Sequence, residues 1–598
     1  MLGLLRKKHV AACLAVAVFA AACGRVDDDP QTAAADTPET TDVAAQPLGD
    51  VFGDCDISPN TCNQGPAAEG GEIVWLLDQG LPERFNMHRF DGRSRSLMHV
   101  LAGILPHAGH DLPDGTWQFN TDLFDGEPRQ INDSPQTFEF TFRPEAVWSD
   151  GTPISAEDVK WLWRHNAADP QKCGDCDAFG GFWPQVRDVV GSNNNKTVTI
   201  TLRDGVSEPE WFRHIGPTYP AHWAGMDVST AQGMAASSAY FATNVPNFSA
   251  GPYLIDTFDV NGDVVLVSNP LWYGQATPLD RVVLRPYPVE GDRGRAEAIA
   301  AFDSGRVDGG MFTTLNPDTD VALIRVDDAS TRMLSGRQGQ FEQVTLNASR
   351  LDRTLRQALF VALDRAAIRD TIFADVRPPL RPTVLFAKGD VRAADPFTAL
   401  RAMGTGNVAG IRELLEISGY TNVNETGPLT APDGIPVSPL TLPLNPNSPA
   451  SRFALADLIA DTFRKLGVAV DIIETEDANR MLFDGDFDVA VFAWSGSLGP
   501  LSMPLQFWQS ESESNFGRYQ NTEVDRLLSA MTNDTDFADA LAKAKAAEAI
   551  VNDDAYMLPL FDFGPITFVD GSLVNVRHNP NSVFGALYNV GEWGVRAR

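Results

Sequence analysis

The chain has 598 residues, enough for roughly four domain-sized units, and its 43% hydrophobic and 21% charged content lets most of it bury a core. Lys and Arg number 47 and Asp and Glu 79, a formal charge of −32. That balance excludes the basic footprint a nucleic acid needs and a protein held on anionic lipid by charge alone. Six Cys in this length exclude a disulfide-dense miniprotein.

The amino terminus reads as an address. Arg6, Lys7, Lys8 and His9 precede an apolar run from Val10 to Ala22, which is short of the ~20 residues that span a bilayer. A basic region, a short apolar stretch and small residues before a cleavage point describe an export signal. Ala20-Ala21-Ala22-Cys23-Gly24 resembles a bacterial lipobox, with Ala20 where Leu is usual, so residues 1–22 are expected to be removed and Cys23 lipidated. Simple cleavage at an A-x-A site is the competing reading. Both place the folded part outside the cytoplasm. Residues 23–70 are rich in Asp, Ala, Thr, Pro and Gln and poor in aromatics, and are expected to form a disordered tether, spanning roughly 35–40 Å root-mean-square. Of the four later cysteines, Cys55 and Cys62, and Cys173 and Cys176, are expected to pair locally. Cys173-Gly174-Asp175-Cys176 also has the form of half a zinc site or a redox motif.

The body begins at Gly70. Gly71 to Leu77 reads as a first strand, and Gln79-Gly80 and Phe85-Asn86 follow it. Thr137 to Arg143 alternates, with Phe138, Phe140 and Phe142 on one face, which predicts a half-buried strand. After the turn Asp150-Gly151-Thr152-Pro153, Ser155 and Asp158 form a near capping box for a helix with Val159, Leu162 and Trp163 as its stripe. Further strands are predicted at Val198–Leu202, Val264–Val267 and Val282–Leu284. Beyond about residue 300 helices and strands alternate. Asp352 caps a stripe through Leu355, Leu359 and Leu363, and Leu455 to Leu466 form another, stopped by Gly467. Val468–Ile473 and Phe487–Trp494 read as strands, Asp536–Val551 as a last helix, and Pro565–Val569 as a closing strand. A strand-rich start, an α/β middle and a strand-rich close suggest two lobes crossed more than once, and ligand sites favour such clefts.

Several stretches, in order, resemble one family. Phe140-x-Phe142-Arg143, Trp148-Ser149-Asp150-Gly151-x-Pro153-Ile154 and Asp158-Val159 resemble the signature of the family 5 extracellular solute-binding proteins, the peptide-binding components of ABC importers. Ser249-Ala250-Gly251-Pro252-Tyr253, Asn269-Pro270-Leu271-Trp272-Tyr273-Gly274 and Phe302-x-x-Gly305-x-Val307-Asp308 continue the match. Leu355-Arg356-Gln357-Ala358-Leu359 with Ala362-Leu363-Asp364-Arg365, then Gly419-Tyr420, Gly485-Asp486-Phe487-Asp488 and Leu558-Pro559-Leu560 complete it over about residues 70–590. Individually, most of these elements are turns, caps and structural ion pairs.

The resemblance implies an α/β, two-lobe periplasmic-binding-protein-like (type II) fold with an extra strand-rich subdomain. Lobe 1 is expected over 71–295, with the subdomain at about 85–190. Lobe 2 is expected over 296–550, and 551–598 return to lobe 1. The implied function is capture of peptides in an interlobe cleft and delivery to a membrane permease, without catalysis. The implied location is the outer face of the cytoplasmic membrane, held by a lipid anchor.

Phe492-Ala493-Trp494-Ser495-Gly496-Ser497 aligns with the segment that lines the family's cleft. Where typical peptide binders place a carboxylate for the ligand's α-ammonium, this chain has Ser497, so a free amine is not expected to be anchored there. Trp494 is the leading ligand-lining candidate, with Trp508, Phe507 and Trp272, and Gln79, Gly80, Phe85 and Asn86 on the near side. The same fold serves metal chelates, haem or other non-peptide solutes, which remain the alternative, and His107-x-x-His110 has metal-ligand spacing. A secreted hydrolase is the rival from another class, but the chain has no H-E-x-x-H, G-x-x-x-x-G-K-[ST] or G-x-S-x-G pattern. No cofactor and no nucleic acid are expected, and a monomer is.

Overall fold

The structure is a computed structural model. It describes residues 55, 57–177, 181–289, 291–313, 331–335, 340–373, 377–387, 389–393, 403–424, 426–495 and 499–597. The export signal and Cys23 lie outside these residues.

The strands in chain order are β1 (Glu72–Leu77), β2 (Gly109–Asp111), β3 (Trp117–Phe119), β4 (Arg129–Asp133), β5 (Gln136–Thr141), β6 (Val186–Ser192), β7 (Thr197–Leu202), β8 (Tyr253–Phe258), β9 (Val264–Ser268) and β10 (Arg281–Pro286). They continue with β11 (Gly309–Phe312), β12 (Thr331–Ser335), β13 (Gln340–Leu346), β14 (Leu440–Leu444), β15 (Val470–Glu474), β16 (Val489–Ser495), β17 (Met557–Asp562) and β18 (Ile566–Asp570).

One mixed sheet has the order β12-β18-β11-β1-β10-β9-β8. β1 runs parallel to both β10 and β11 at its centre. That position explains its almost unbroken apolar sequence, since a central parallel strand is covered on both faces. Ile73, Trp75 and Leu77 point into a large aromatic core. Leu76 points the other way, against Ala298, Phe302 and Phe568.

A second sheet, β4-β5-β7-β6, is antiparallel and shares the aromatic core through Phe138, Phe140, Val198 and Ile200. The helix Ala156–Asn166 covers it. Ser155 and Asp158 form a full capping box there, each side chain accepting the other residue's backbone N–H or that of its neighbour. This strand-rich layer reaches Leu202, beyond the expected limit near 190, because β7 is its inner strand.

The third assembly is β16-β13-β17, all antiparallel, with the parallel pair β14-β15 beside the start of β16. Its core is aliphatic, built from Val344, Leu346, Leu359, Leu442, Ile459, Val489 and Leu558. Helices Arg353–Ala362 and Ala450–Arg464 lie over it, the first capped by Asp352, whose side chain accepts Leu355 N–H.

Sheet membership places the chain crossings later than the boundaries read from sequence. β11 and β12 still belong to the first sheet, so the first crossing falls between β12 and β13 rather than at 295. β17 pairs with β13 whereas β18 pairs with β11 and β12, so the return falls at residues 563–565 rather than at 550. A fully enclosed ion pair marks this return: Arg381 donates to Asp562 at 2.6 Å, and its guanidinium lies 4.1 Å from the Phe341 ring centroid.

The expected disordered tether is folded over its last part. Cys55 is bonded to Cys62, and Cys173 to Cys176, so the cysteines of Cys-Gly-Asp-Cys serve each other rather than a metal. Asn63 Nδ2 donates to Val576 O at 3.1 Å, and Ala68 N–H to Val595 O at 2.7 Å. Arg577 Nε donates to Cys62 O at 3.3 Å. The carboxy-terminal segment supplies partners that composition alone does not reveal, and these order residues 57–70.

Candidate ligand-binding site

β16 alternates. Val489 and Val491 enter the aliphatic core, so Ala490, Phe492 and Trp494 face the other side. There the half-buried Trp494 ring stacks on Phe507 at 4.2 Å and on Phe516 at 5.6 Å, with Phe492 edge-on at 5.4 Å. Its indole N–H is buried and has no hydrogen-bond partner among the described residues. Among the described strands β16 pairs with β13 alone, so its outer edge carries main-chain donors and acceptors not used by the sheet. The side chain of Ser495, and Gly496 and Ser497 entirely, lie outside the described residues.

At Gly499 the chain meets the other body of the molecule. A Cβ on Gly499 would lie 3.3 Å from both carboxylate oxygens of Glu210. Glu210 opens the turn Trp211–Arg213, and its Oε1 accepts Arg213 Nε at 2.9 Å. Arg213 also pairs with Asp111, and its guanidinium lies 5.3 Å from the rings of both Trp117 and Phe212.

Two more contacts join the same bodies nearby. Phe212 meets Phe537 edge-on at 5.6 Å, and Gln136 Nε2 donates to Thr535 O at 3.3 Å. Gly115 adopts φ +86°, and a side chain there would strike the Asp390 carboxylate, while Val391 N–H donates to Asp114 O at 2.9 Å.

Burial sets the charges of this cluster. It pushes the Glu208 carboxyl up to about 7, and the neighbouring Glu210 adds to the effect. Glu210 is raised by burial as well, although Arg213 opposes this. Burial, with Arg213 close by, lowers His214 to about 4, so its imidazole is neutral at pH 7 and stacks on Phe182 at 4.7 Å.

The near-side candidates separate. Gln79 is half-buried and Gly80 exposed, just past the carboxyl end of β1, with nothing among the described residues within 4 Å of a Gly80 Cβ. Asp78 beside them is buried and accepts Thr313 N–H. Phe85 and Asn86 are structural instead. Phe85 lies in the aromatic core, and its carbonyl accepts the Tyr219 hydroxyl at 2.6 Å. Asn86 is 0% exposed and donates to His165 Nε2 and Ser238 O, which occupies its amide.

Trp508 is 0% exposed in the core beneath Trp494, so it supports the site rather than lining it. Phe507 is likewise enclosed, one layer behind Trp494. Trp272 is on the wrong end of the first sheet. It follows β9, which runs antiparallel to β10, and so leaves from the Glu72 end while Gln79 leaves from the Leu77 end. His107 and His110 have ring centroids 5.4 Å apart, but His107 Nε2 donates to Ala102 O at 3.0 Å. Among the described residues no group of three His, Cys, Asp or Glu is placed to hold a metal ion.

Sequence reading missed Glu210, Arg213, Asp111 and Phe516. No local motif marks them, and only the contact at Gly499 distinguishes Glu210 from other surface-type carboxylates.

Comparison with known proteins agrees with this architecture. Residues 119–516 match the family described as bacterial extracellular solute-binding proteins, family 5 Middle. The oligopeptide-binding protein OppA of Mycobacterium tuberculosis is 26% identical over 533 residues, covering 86% of this chain and 83% of that protein. An uncharacterised lipoprotein of the same organism is 24% identical over 577 residues, covering 90% and 96%. The solved structure of the periplasmic EDTA-binding protein EppA superposes with a TM-score of 0.69 at 25% identity, covering 90% of this chain and 99% of that one. This chain belongs to the family 5 bacterial extracellular solute-binding proteins, a family of non-enzymatic binding proteins with the type II periplasmic-binding-protein fold.

Proposed function

We propose that this protein captures peptides outside the cytoplasm and passes them to the membrane permease of an ABC importer. The observation that carries this reading is the one-sided edge of β16 beside the Trp494–Phe516 rim. An extended peptide adds to such an edge through its main chain, which is indifferent to sequence, and an aromatic rim accepts varied side chains. The similarity to a protein named for oligopeptide binding supports it. Gln79 and Gly80 form the facing wall in this reading.

The bodies carrying β1 and β13 close over the ligand and exclude water. Closure follows only if the ligand binds the closed form more tightly than the open one. The export signal, the lipobox-like Cys23 and a relative named as a lipoprotein support a lipid anchor at the outer face of the cytoplasmic membrane. The protein acts as a monomer, and Ser497 does not hold a free amine.

The test is native mass spectrometry of the purified protein, with fragmentation of what co-purifies, and titration with peptide pools followed by intrinsic Trp fluorescence. Saturable one-to-one peptide binding is expected, and Trp494→Ala is expected to weaken it by about tenfold or more. A tightly held non-peptide solute, with no peptide binding after its removal, would overturn the proposal.

A further inference from the structure

The tip of the β2–β3 hairpin is gripped from behind by side chains remote in the sequence. Leu112-Pro113-Asp114-Gly115 makes the turn, with Pro113 fixing its second position and Gly115 N–H donating to Leu112 O at 2.9 Å. Asn579 Nδ2 donates to Asp111 O at 2.7 Å, and Asn581 Nδ2 to Leu112 O at 3.0 Å. Asn60 Oδ1 accepts Asp114 N–H at 3.1 Å.

Asn60 belongs to the Cys55–Cys62 loop, where the described residues begin after the expected tether. That loop is fixed in turn to the carboxy-terminal segment. Asn575 N–H donates to Asn63 O at 2.7 Å, and Arg596 Nη2 to Asn63 Oδ1 at 3.2 Å. The amino-terminal strap, the carboxy-terminal segment and the hairpin tip are thus tied into one unit of the first body.

The far side of the same tip meets the second body. Asp114 O accepts Val391 N–H at 2.9 Å. A single residue therefore joins the strap through its N–H and the second body through its C=O. A Cβ on Gly115 would lie 2.5 Å from Asp390 Oδ2 and 2.7 Å from Arg392 Nη2. The turn it faces is itself held, since Asp390 Oδ1 accepts Arg392 N–H at 2.9 Å and the Arg392 guanidinium lies 5.4 Å from the Phe386 ring centroid in the second body's core. A carbonyl bonds a donor on another body only when its peptide plane is aimed at it, and Asn60 holds the residue that carries this carbonyl.

We propose that residues 57–70 form a strap coupling the tether to lobe closure, with Asn60 as the positioning residue that aims the Asp114 carbonyl at Val391. The segment that joins the fold to its tether thereby sets how readily the two bodies meet. The proposal rests on the closure described above, and not on the ligand being a peptide. Asn60 lies on the strap and not on the β16 rim, so its loss weakens capture of all ligands alike and leaves their order of preference unchanged.

The experiment uses the full mature chain as wild type, Asn60→Ala, Val391→Pro and the double variant, with circular dichroism to confirm folding. Pro at the first position of the turn Val391–Ala393 removes the donor from a place where its ring is tolerated. Hydrogen exchange over residues 389–393 is read without ligand. Affinities for a pentapeptide pool with free termini, and for its acetylated amide twin, are read by Trp fluorescence. Asn60→Ala is expected to speed exchange over 389–393 by about threefold to tenfold, the worth of one hydrogen bond, with protection of β1 and β13 unchanged. It is expected to weaken both pools by one common factor, and to add nothing to Val391→Pro, because the two variants break the same contact.

Unchanged exchange over 389–393 in a folded Asn60→Ala overturns the proposal and leaves the peptide reading standing. Additive losses in the double variant overturn it too, because Asn60 then acts elsewhere. Faster exchange in Asn60→Ala, with neither pool bound by the wild type, supports the strap and overturns the peptide reading. If Asn60→Ala does not fold, Asn60→Gln, which keeps the amide but shifts its reach, is read by the same criteria.

Discussion

The two bodies of this protein are filled differently. Around the seven-stranded sheet the core is aromatic, with Trp75, Trp148, Trp161, Trp183, Trp211 and Trp593 packed among Phe and Tyr rings. Around β13 the largest core holds no Trp and is mainly Leu, Ile, Val and Ala. Buried imidazoles divide in the same way, whereas buried charged groups occur in both bodies. The first body encloses imidazoles, among them His88, His99 and His107, each lowered by burial to about 4, 3 and 3. The chain has no His from 223 to 577, and the second body instead encloses ion pairs such as Arg381–Asp562 and Arg452–Glu342, and the carboxyl of Glu548. A neutral ring can be buried without a partner charge, whereas a buried guanidinium cannot. Buried imidazoles and buried carboxyls therefore respond oppositely to pH, and the first body holds both, since burial also raises Asp158 there to about 6.

The largest break in this comparison is expected at the ion pair. Arg381→Met leaves Asp562 enclosed without its guanidinium and is expected to cost about 3–5 kcal/mol in urea unfolding. Adding Asp562→Asn should recover part of that loss. A single-variant loss below about 1 kcal/mol would mean that the pair is not what secures the β17–β18 return.

Glu548 tests the second body's pH response. Burial raises it to about 7, although Val384 and Leu385 N–H groups oppose this by donating to it. Because its folded value lies above the ordinary carboxyl range, the folded state binds more protons than the unfolded one between about pH 4.5 and 7. Stability from this group therefore falls as pH rises through that window. Glu548→Gln keeps the acceptor and removes the titration, and should spare the protein on the order of 3 kcal/mol of that decline. Unfolding curves at pH 5 and 7.5 that change equally in both proteins would refute it.

His99 gives the opposite sign. Its folded value of about 3 lies below the ordinary 6.5, so the unfolded state binds the extra proton. Its contribution is complete above pH 6.5 and is lost as pH falls toward and through 3. Between pH 6.5 and 5 the wild type should lose about 2 kcal/mol that His99→Leu does not lose. Hydrogen exchange should place that loss in the first body, and protection lost first in β13–β17 would contradict the comparison.

The smallest effect is expected from Cys173→Ser with Cys176→Ser. The bond closes a loop of sequence separation 3, and so short a loop removes little unfolded-state entropy, roughly 2 kcal/mol at most. A fall in melting temperature as large as that of Arg381→Met would show that the bond orders the first body rather than one turn.

The sites differ in how legible they were. The exposed side of β16, where Trp494 lies half-buried, was readable because the strand alternates. Phe85, Asn86, Trp272 and Trp508 were read from the same kinds of signal, but the structure encloses Phe85, Asn86 and Trp508 and puts Trp272 at the opposite end of the first sheet. Proximity in sequence to a strand end does not say which way a side chain turns, and two Trp residues on either side of one loop and short helix, Trp494 and Trp508, end up half-buried and enclosed. β13 was missed because both its faces are buried and they carry Glu342, Gln343 and Thr345, which resemble an exposed segment until Arg452 arrives to pair with Glu342 at 2.9 Å.

Local chemistry was enough for the elements whose cause lies within a few residues. The Ser155–Asp158 capping box, the Asp352 cap, the alternation of β5 and β7 and the ordered family motifs are all short-range, so the amino-acid order determines them alone. The crossings between bodies, the docking of residues 57–70 on the carboxy-terminal segment and the approach of Glu210 to Gly499 were decided only in three dimensions. Each joins groups far apart in the chain, and the free energy of such a contact depends on what burial and partners the rest of the fold provides.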